Sequence, residues 1–357
     1  MALEMKRLVN LLVEKKASDL HVTAHSTPKI RIDERLVEAD KAVLSPDDTK
    51  RLAYSMLSKE QIELFESEKE LDFSFEISGV SRFRVNLFYQ RGNIGIAMRM
   101  IPFEIMNFEE CGLPVNVVTN FCRKPKGLVL VTGATGMGKS TTLASMVDFI
   151  NRERDCHIIT IEDPIEFVHK NKKAIIDQRE VYHDTRSFAA ALKHVLRQDP
   201  DVILIGEMRD LETIESALII AETGHLVLAT LHTSDSVQTV NRIIDVFPSH
   251  QQQQIRTQLS FVLLGVLSQL LIPKKGKKGR VLATEILVVT PAVRALIREL
   301  KAHQIYSHIQ TGSREGMRTM NQSLCDLVKK GEISKEDAIA RSIDPHELEK
   351  LFSSNQL

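Results

Sequence analysis

The stretch that decides the fold reads Gly133-Ala134-Thr135-Gly136-Met137-Gly138-Lys139-Ser140-Thr141. It follows an apolar run at residues 128–131 and leads into a helical pattern at residues 142–147. The spacing G-x-x-x-x-G-K-[ST] between a strand and a helix is that of a P-loop. The sequence therefore predicts a binding site for a nucleoside triphosphate, which we take to be ATP.

Each part of this loop has a chemical task. The glycines allow backbone N–H groups to turn inward around phosphate oxygens, and the following helix directs its positive end at them. Lys139 adds a positive charge near the β- and γ-phosphates, and the hydroxyl of Ser140 suits Mg²⁺. Residues 133–141 are thus candidate ATP-binding residues, with Ser140 as a candidate metal ligand.

The composition is that of a globular protein with neutral overall charge. The chain has 357 residues, of which 43% are hydrophobic, and 47 basic residues balance 47 acidic ones. No global charge therefore attracts it to nucleic acid or to an anionic membrane. The four cysteines lie far apart without a C-x-x-C pair, which indicates reduced cytosolic thiols and not a zinc site.

The first part of the chain predicts a small α+β domain over residues 1–101. Helices are expected at residues 46–57 and 59–67, and strands at 19–22, 29–33, 71–77, 81–91 and 95–101. Gly92-Asn93 marks a hairpin turn between the last two strands. The periodicity lapses over residues 102–113, which we interpret as a linker.

Residues 114–357 predict a doubly wound α/β domain with a helical C-terminus. Continuous apolar runs, typical of strands covered on both faces, occur at residues 127–132, 157–161, 202–205 and 226–231. Residues 257–273 are uncharged but carry polar side chains, so a buried helix is favoured over a membrane span. The basic run at residues 274–280 is interpreted as a solvated loop.

Charged and imidazole side chains follow the predicted strands, at the sheet edge where ligands bind in doubly wound folds. Glu207 is the first candidate for holding the water that attacks the γ-phosphate, with a contact to Mg²⁺ through water, and Glu166 is the second. His232 is expected to sense the γ-phosphate. His225, at the start of a strand, is either a further site residue or a cap of that strand.

Phosphoryl transfer also needs positive charge near the γ-phosphate. Arg82 and Arg84 share one face of a predicted strand, and Arg91 and Arg99 follow on its neighbours. The nucleotide domain offers no obvious arginine of its own near the P-loop. A contribution from these N-terminal arginines, delivered in trans, is therefore attractive.

Four ordered motifs resemble those of the secretion ATPases of type II secretion and type IV pili. Residues 160–169 resemble the acidic box of that family, residues 199–210 its atypical Walker B motif ending Gly-Glu, and residues 223–233 its histidine box. Residues 17–21 match near the start of the chain. The resemblance covers almost the whole length and is strongest to the pilus retraction members.

This resemblance implies a PAS-like N-terminal domain and a RecA-like motor domain assembled as a ring-shaped homohexamer. It also implies that Arg84 and Arg99 reach the nucleotide across a domain interface. The implied partners are the inner-membrane platform protein of the type IV pilus machine and another retraction ATPase. The implied location is the cytoplasm, peripheral at the inner membrane, with no membrane insertion.

The function expected from the resemblance is an ATP-driven motor that retracts type IV pili and supports twitching motility. An accessory retraction ATPase is the first alternative. A nucleic-acid translocase with a RecA-like core is less favoured, because a neutral chain with 5% aromatic residues lacks the expected basic, base-stacking grooves. A non-catalytic regulator is disfavoured by the intact Glu207.

A helix predicted at residues 291–301 has two distinct faces. Val293, Leu296, Ile297 and Leu300 are expected to be buried, whereas Arg294, Arg298 and Lys301 are expected to face solvent. The resemblance links this segment to retraction itself. The sequence alone fits an ordinary solvated face equally well.

Overall fold

The structure is a computed structural model that describes residues 3–15, 17–32, 35–77, 81–101, 105–276 and 279–354. The chain divides into two compact units, Met1–Glu104 and Ile105–Leu357. Of the linker predicted at residues 102–113, residues 102–104 lie outside the described residues. Phe108 and Leu113 are buried in the core of the second unit, so the remainder of that segment belongs to this unit.

The first unit is a six-stranded antiparallel sheet with three helices. The strand order is β3-β2-β1-β6-β5-β4. The elements in chain order are α1 (Met5–Glu14), β1 (Asp19–Val22), β2 (Lys29–Ile32), β3 (Arg35–Glu38), α2 (Pro46–Tyr54), α3 (Lys59–Glu68), β4 (Glu70–Ile77), β5 (Ser81–Gln90) and β6 (Asn93–Ile101).

Local sequence explains most of these elements. Ser45 and Ser58 each begin a helix with a capping box, in which the serine hydroxyl and the side chain three residues later bond reciprocally to backbone N–H groups. Gly92 takes a φ of 77° in the hairpin between β5 and β6. Strand β3 was not predicted, because all four of its residues are exposed and therefore give no alternating pattern.

The second unit contains a seven-stranded sheet in the order β13-β12-β7-β11-β10-β8-β9. Its strands are β7 (Gly127–Thr132), β8 (His157–Glu162), β9 (Ile175–Glu180), β10 (Val202–Ile205), β11 (Leu226–Leu231), β12 (Leu263–Pro273) and β13 (Arg280–Val288). All adjacent pairs are parallel except β12 and β13.

Helices cover both faces of this sheet. They are α4 (Val115–Cys122), α5 (Lys139–Glu153), α6 (Phe188–Val195), α7 (Leu211–Glu222), α8 (Ser236–Asp245), α9 (Ser249–Val262), α10 (Pro291–Arg298), α11 (Ile305–Thr311), α12 (Met320–Lys329), α13 (Lys335–Arg341) and α14 (Pro345–Ser354). Strand β7 shows the two-sided burial: Leu128 and Leu130 enter one core, and Val129 and Val131 enter the other. The predicted α/β class with a doubly wound second domain is confirmed. No helix in the described part of the chain is apolar over the length that crossing a bilayer requires.

The buried helix predicted at residues 257–273 is wrong for most of its length. Helix α9 ends at Val262, and residues 263–273 form β12 between β7 and β13. An uninterrupted apolar run does not distinguish a buried helix from a strand covered on both faces. The packing of β12 explains Gly265. A Cβ at this position would lie 2.2 Å from Cζ of Phe121, so only glycine allows the strand to pack against this ring.

The helix predicted at residues 291–301 is shorter than expected. Val293, Leu296 and Ile297 are buried as predicted. Helix α10 ends at Arg298, however, and Leu300 takes a φ of 59° and is 63% exposed. The three cations predicted to face solvent differ in exposure: Lys301 is exposed beyond the end of α10, whereas Arg294 and Arg298 are half-buried. The guanidinium of Arg298 lies over the ring of Phe261, and Nε of Arg294 is buried.

Substituting Gly265 with alanine should destabilise the second unit. The added methyl would meet the Phe121 ring at 2.2 Å and the Leu287 carbonyl oxygen at 2.6 Å. Overpacking of this kind costs ~3 kcal/mol, or roughly 5–10 °C in the melting temperature. Differential scanning calorimetry of wild type, Gly265→Ala and the milder control Gly206→Ala measures this loss. Equal melting temperatures for all three would show that the tight contact at β12 is unimportant.

Candidate active site

The P-loop lies between β7 and α5 and is shaped by three glycines. Gly133, Gly136 and Gly138 have φ values of 137°, 79° and 82°, a region that other residues rarely adopt. At Gly133 a Cβ would also lie 2.6 Å from the backbone oxygen of Gln269. The loop therefore depends on glycine for both its conformation and its close approach to β12.

The helix start behind the loop offers the groups that bind phosphate. Gly138 is the N-cap of α5, and no side chain caps the helix. Nζ of Lys139 donates to the backbone oxygens of Gly133 and Ala134 at 2.8 and 3.0 Å, and Ser140 follows in the first turn. An uncapped helix start, a buried ammonium group and a hydroxyl are a donor set that fits Mg²⁺-bound triphosphate.

Strand β12 braces the loop through its polar side chains. Nε2 of Gln269 donates to the hydroxyl of Thr142 at 2.6 Å, and the hydroxyl of Thr132 donates to Ser268 at 2.9 Å. The backbone N–H of Leu271 lies 3.3 Å from the sulfur of Met137. The Met137 side chain thus turns toward β12, which explains how a bulky residue is accommodated in the loop.

Glu207 and His232, both predicted as site residues, are brought into contact. Oε1 of Glu207, just after β10, accepts from Nε of Arg209 at 2.7 Å and lies 3.1 Å from Nε2 of His232, just after β11. Burial alone would raise the pKa of Glu207, but the hydrogen bonds and charges of Arg209 and His232 outweigh it and lower that pKa. The carboxylate is therefore held charged and oriented.

Lys139 links this pair to the P-loop. Burial lowers the pKa of the Lys139 ammonium, whereas the carboxylates of Glu207 and Glu166 oppose this shift. Both predicted acidic residues therefore act on the P-loop lysine. Glu166 is exposed in the loop that follows β8, and Glu207 is the more constrained of the two.

Glu162 was not singled out from the sequence, although it lies in the same acidic run as Glu166. It is the last residue of β8, and its Oε1 accepts from Oγ1 of Thr160 at 2.6 Å and from Nε2 of Gln178 at 3.2 Å. Burial raises the pKa of Glu162 to about 7, and these hydrogen bonds only partly oppose the shift. Its position in the sequence could have identified it, because the last residue of a buried parallel strand lies at the sheet edge where ligands bind.

His225 does not belong to the nucleotide site of its own subunit. It precedes β11, and its backbone oxygen accepts from the N–H of Gly127 at the start of β7, whereas the P-loop follows the opposite end of β7. Nδ1 of His225 lies 3.1 Å from the backbone oxygen of Ile220 and 3.3 Å from Oγ1 of Thr223. The structure therefore favours the second of the two roles predicted for His225, a cap of the link between α7 and β11.

Arg84 and Arg99 lie in the first unit, on the neighbouring strands β5 and β6, where they are directly opposite each other. Nε of Arg99 lies 2.8 Å from Oδ1 of Asp19, and the Arg99 side chain is 73% exposed. Burial alone would raise the pKa of Asp19, but hydrogen bonds from Ser18 and Arg99 lower it. The pair thus forms an exposed, cationic spot on the sheet.

Arg280, from the basic run predicted to be a solvated loop, contacts the P-loop. Its Nη1 donates to the backbone oxygen of Gly136 at 3.3 Å. Residues 277 and 278 of this run lie outside the described residues. Sequence reasoning missed this contact because it depends on the pairing of β13 with β12, which places the hairpin beside the loop.

Comparisons with known proteins agree with this geometry. The profile of the family described as type II/IV secretion system protein matches residues 2–340. The chain belongs to this family. It is 48% identical to the type IV pilus retraction ATPase PilT of Pseudomonas aeruginosa, covering 94% of this chain and 97% of that one. It is 40% identical to the type IV pilus ATPase PilU of the same organism, covering 97% and 90%.

Among solved structures, the chain is similar to the pilus retraction motor PilT with bound ADP. The two share 51% identity with a TM-score of 0.92, over 98% of this chain and 99% of that one. The resemblance to the secretion ATPases, stated from the motifs alone, is confirmed.

Replacing Glu162 with glutamine should flatten the pH dependence of stability. Folding raises the pKa of Glu162 from its ordinary 4.5 to about 7, so the native state binds the proton more tightly. The resulting stabilisation, ~3 kcal/mol at most, is fully present below pH 4.5 and is lost as the pH rises through 7. Melting temperatures measured from acid to neutral pH should therefore fall less steeply for Glu162→Gln than for wild type.

The matched control for this experiment is Glu215→Gln, at an exposed position of α7, which should keep the wild-type slope. Glu285, whose pKa burial also raises to about 7, is present in all three proteins and cancels in the comparison. A Glu162→Gln profile parallel to that of wild type would contradict the assigned environment of this carboxyl group.

Proposed function

We propose that this chain is an ATP-hydrolysing motor that powers retraction of type IV pili. The observation that carries the proposal is the cluster at the carboxyl edge of the motor sheet. There the carboxylate of Glu207 lies 2.7 Å from Nε of Arg209 and 3.1 Å from Nε2 of His232, and its charge opposes the lowering of the pKa of the P-loop lysine, Lys139. The similarity to PilT over nearly the full length of both chains supports pilus retraction as the process that ATP hydrolysis drives.

In the proposed mechanism, Glu207 orients and polarises the water that attacks the γ-phosphate. Arg209 and His232 both contact Oε1, and we assign Oε2 to the water. The His232 ring reports on the γ-phosphate through the same hydrogen bond to Glu207. Bound Mg²⁺ would neutralise phosphate charge, with Ser140 as its ligand and Glu207 acting through water.

Arg84 and Arg99 supply the remaining positive charge in this proposal, from the first unit of a neighbouring subunit. A homohexameric ring provides such neighbours, and it is the assembly implied by the family resemblance. We propose that the ring works in the cytoplasm at the base of the pilus machine. Its partners there are the inner-membrane platform protein and a second retraction ATPase.

Two substitutions at the site should separate nucleotide binding from chemistry. Lys139→Ala removes the cation of the loop and should weaken ATP binding at least tenfold, a loss of ~1.4 kcal/mol or more. Glu207→Gln keeps the shape of the side chain but removes its charge, so binding should persist while turnover falls by about a hundredfold or more. Equilibrium binding of a fluorescent ATP analogue and phosphate release measure the two effects. Near wild-type turnover by Glu207→Gln would transfer the role to Glu166.

Mixed rings should test whether the arginines act in trans. Arg84→Ala and Lys139→Ala proteins should each be nearly inactive, because removing the guanidinium raises the energy of the transition state more than that of the bound ATP. Mixing the two should restore part of the ATPase activity, since some interfaces then contain an intact arginine and an intact P-loop. Mass spectrometry of the mixture confirms that subunits exchange. Exchange without recovery would place arginine and P-loop in the same subunit.

The alternative, an accessory retraction ATPase, is supported by the 40% identity to PilU. Expression in Pseudomonas aeruginosa strains lacking either PilT or PilU distinguishes the two. Restored twitching in the strain without PilT supports the main motor. Rescue only of the strain without PilU supports the accessory role.

A further inference from the structure

The first unit contains a cavity of about 480 Å³. The second unit contains another, whose lining combines apolar side chains with charged ones. Its volume is about 390 Å³, within the range of pockets that hold small ligands. It lies between α4, the ends of β12 and β13, and α10, and takes no part in the nucleotide site. Its walls are formed by Val117, Asn120, Phe121, Lys124, Leu264, Val288, Val289, Arg294 and Glu315.

The apolar walls of this cavity are held in place by two glycines. A Cβ on Gly265 would lie 2.2 Å from Cζ of Phe121, and one on Gly316 would lie 2.4 Å from Cγ2 of Val117. Both side chains therefore rest directly on backbone. These contacts fix the backing of both wall residues, so that neither side chain can withdraw further from the cavity.

Arg294 supplies the polar feature of the cavity. Its Nε is buried and has no hydrogen-bond partner among the described residues, which is costly for a charged group. Arg294 is half-buried, and its inner nitrogen therefore lacks a hydrogen-bond acceptor in the described part of the chain. Glu315 lines the same cavity but does not satisfy that nitrogen.

The chemistry of the cavity selects a carboxylate ligand. A guanidinium presents parallel N–H donors that match the two oxygens of a carboxylate. Lys124 adds a second cation, so that Arg294, Lys124 and Glu315 leave a net positive charge at the cavity. Val117, Phe121 and Leu264 provide surface for an apolar group attached to that carboxylate.

We propose that this cavity binds a carboxylate that carries an apolar group, with Arg294 as its anchor. Such a group occurs both in small organic acids and at the C-terminal apolar residue of a peptide. The site is separate from ATP hydrolysis, and the proposal does not depend on the proposed motor function.

The proposal can be tested by saturation-transfer difference NMR on the full-length protein. The free acid probe is phenylbutyrate, and the peptide probe is acetyl-Ala-Phe with a free C-terminus; the matched amide of each serves as the uncharged control. Both acids should give stronger signals than their amides. The acid that binds more tightly identifies the source of the ligand.

Substitutions at Arg294 localise the binding. Arg294→Gln should weaken acid binding by roughly tenfold or more, because the charge-assisted pair is lost. Arg298→Gln, one turn later on α10 and outside the cavity, should bind as wild type does. Arg294→Leu removes the buried Nε that lacks a partner, so its melting temperature without ligand should equal or exceed that of wild type. Equal signals from acids and amides, or unchanged binding by Arg294→Gln, would overturn the proposal.

Discussion

The nucleotide site depends on one steric constraint, the close approach of the P-loop backbone to β12. Gly133 lies so near the backbone of Gln269 that no side chain fits between them. Gln269 in turn holds Thr142 at the start of α5. The loop is therefore clamped between the strand that precedes it, the helix that follows it and a strand that comes over a hundred residues later. A preformed cradle of this kind binds phosphate without first having to become ordered.

The same sheet edge collects the groups to which the proposed mechanism assigns the chemistry at phosphate, together with Glu162. Glu207 and His232 reach it from the ends of β10 and β11, and Glu162 reaches it from β8. Parallel strands make this possible, because their carboxyl ends share one edge. His225 illustrates the converse, since a residue at the start of β11 lies at the opposite edge. The position of a residue along its strand thus decides whether it belongs to the site.

Much of this architecture could be predicted from the sequence, and the failures have physical causes. Glycine spacing and continuous apolar runs identified the P-loop and the central strands β7, β8, β10 and β11. Strand β12 was mistaken for helix, because a strand buried on both faces has no periodicity. Strand β9 at the sheet edge was missed because it is largely polar, and its first residue, Ile175, is exposed. The contact of Arg280 with the P-loop depends on pairing between distant segments, which composition does not reveal.

The central claim is that ATP hydrolysis by this chain shortens pili. Its most direct test is time-lapse imaging of fluorescently labelled pili in cells that lack the chain, before and after it is restored. The account predicts that pili extend but stay extended without the chain, and shorten again once the wild-type chain is supplied. Pili that shorten at the same rate and frequency in its absence would contradict the account.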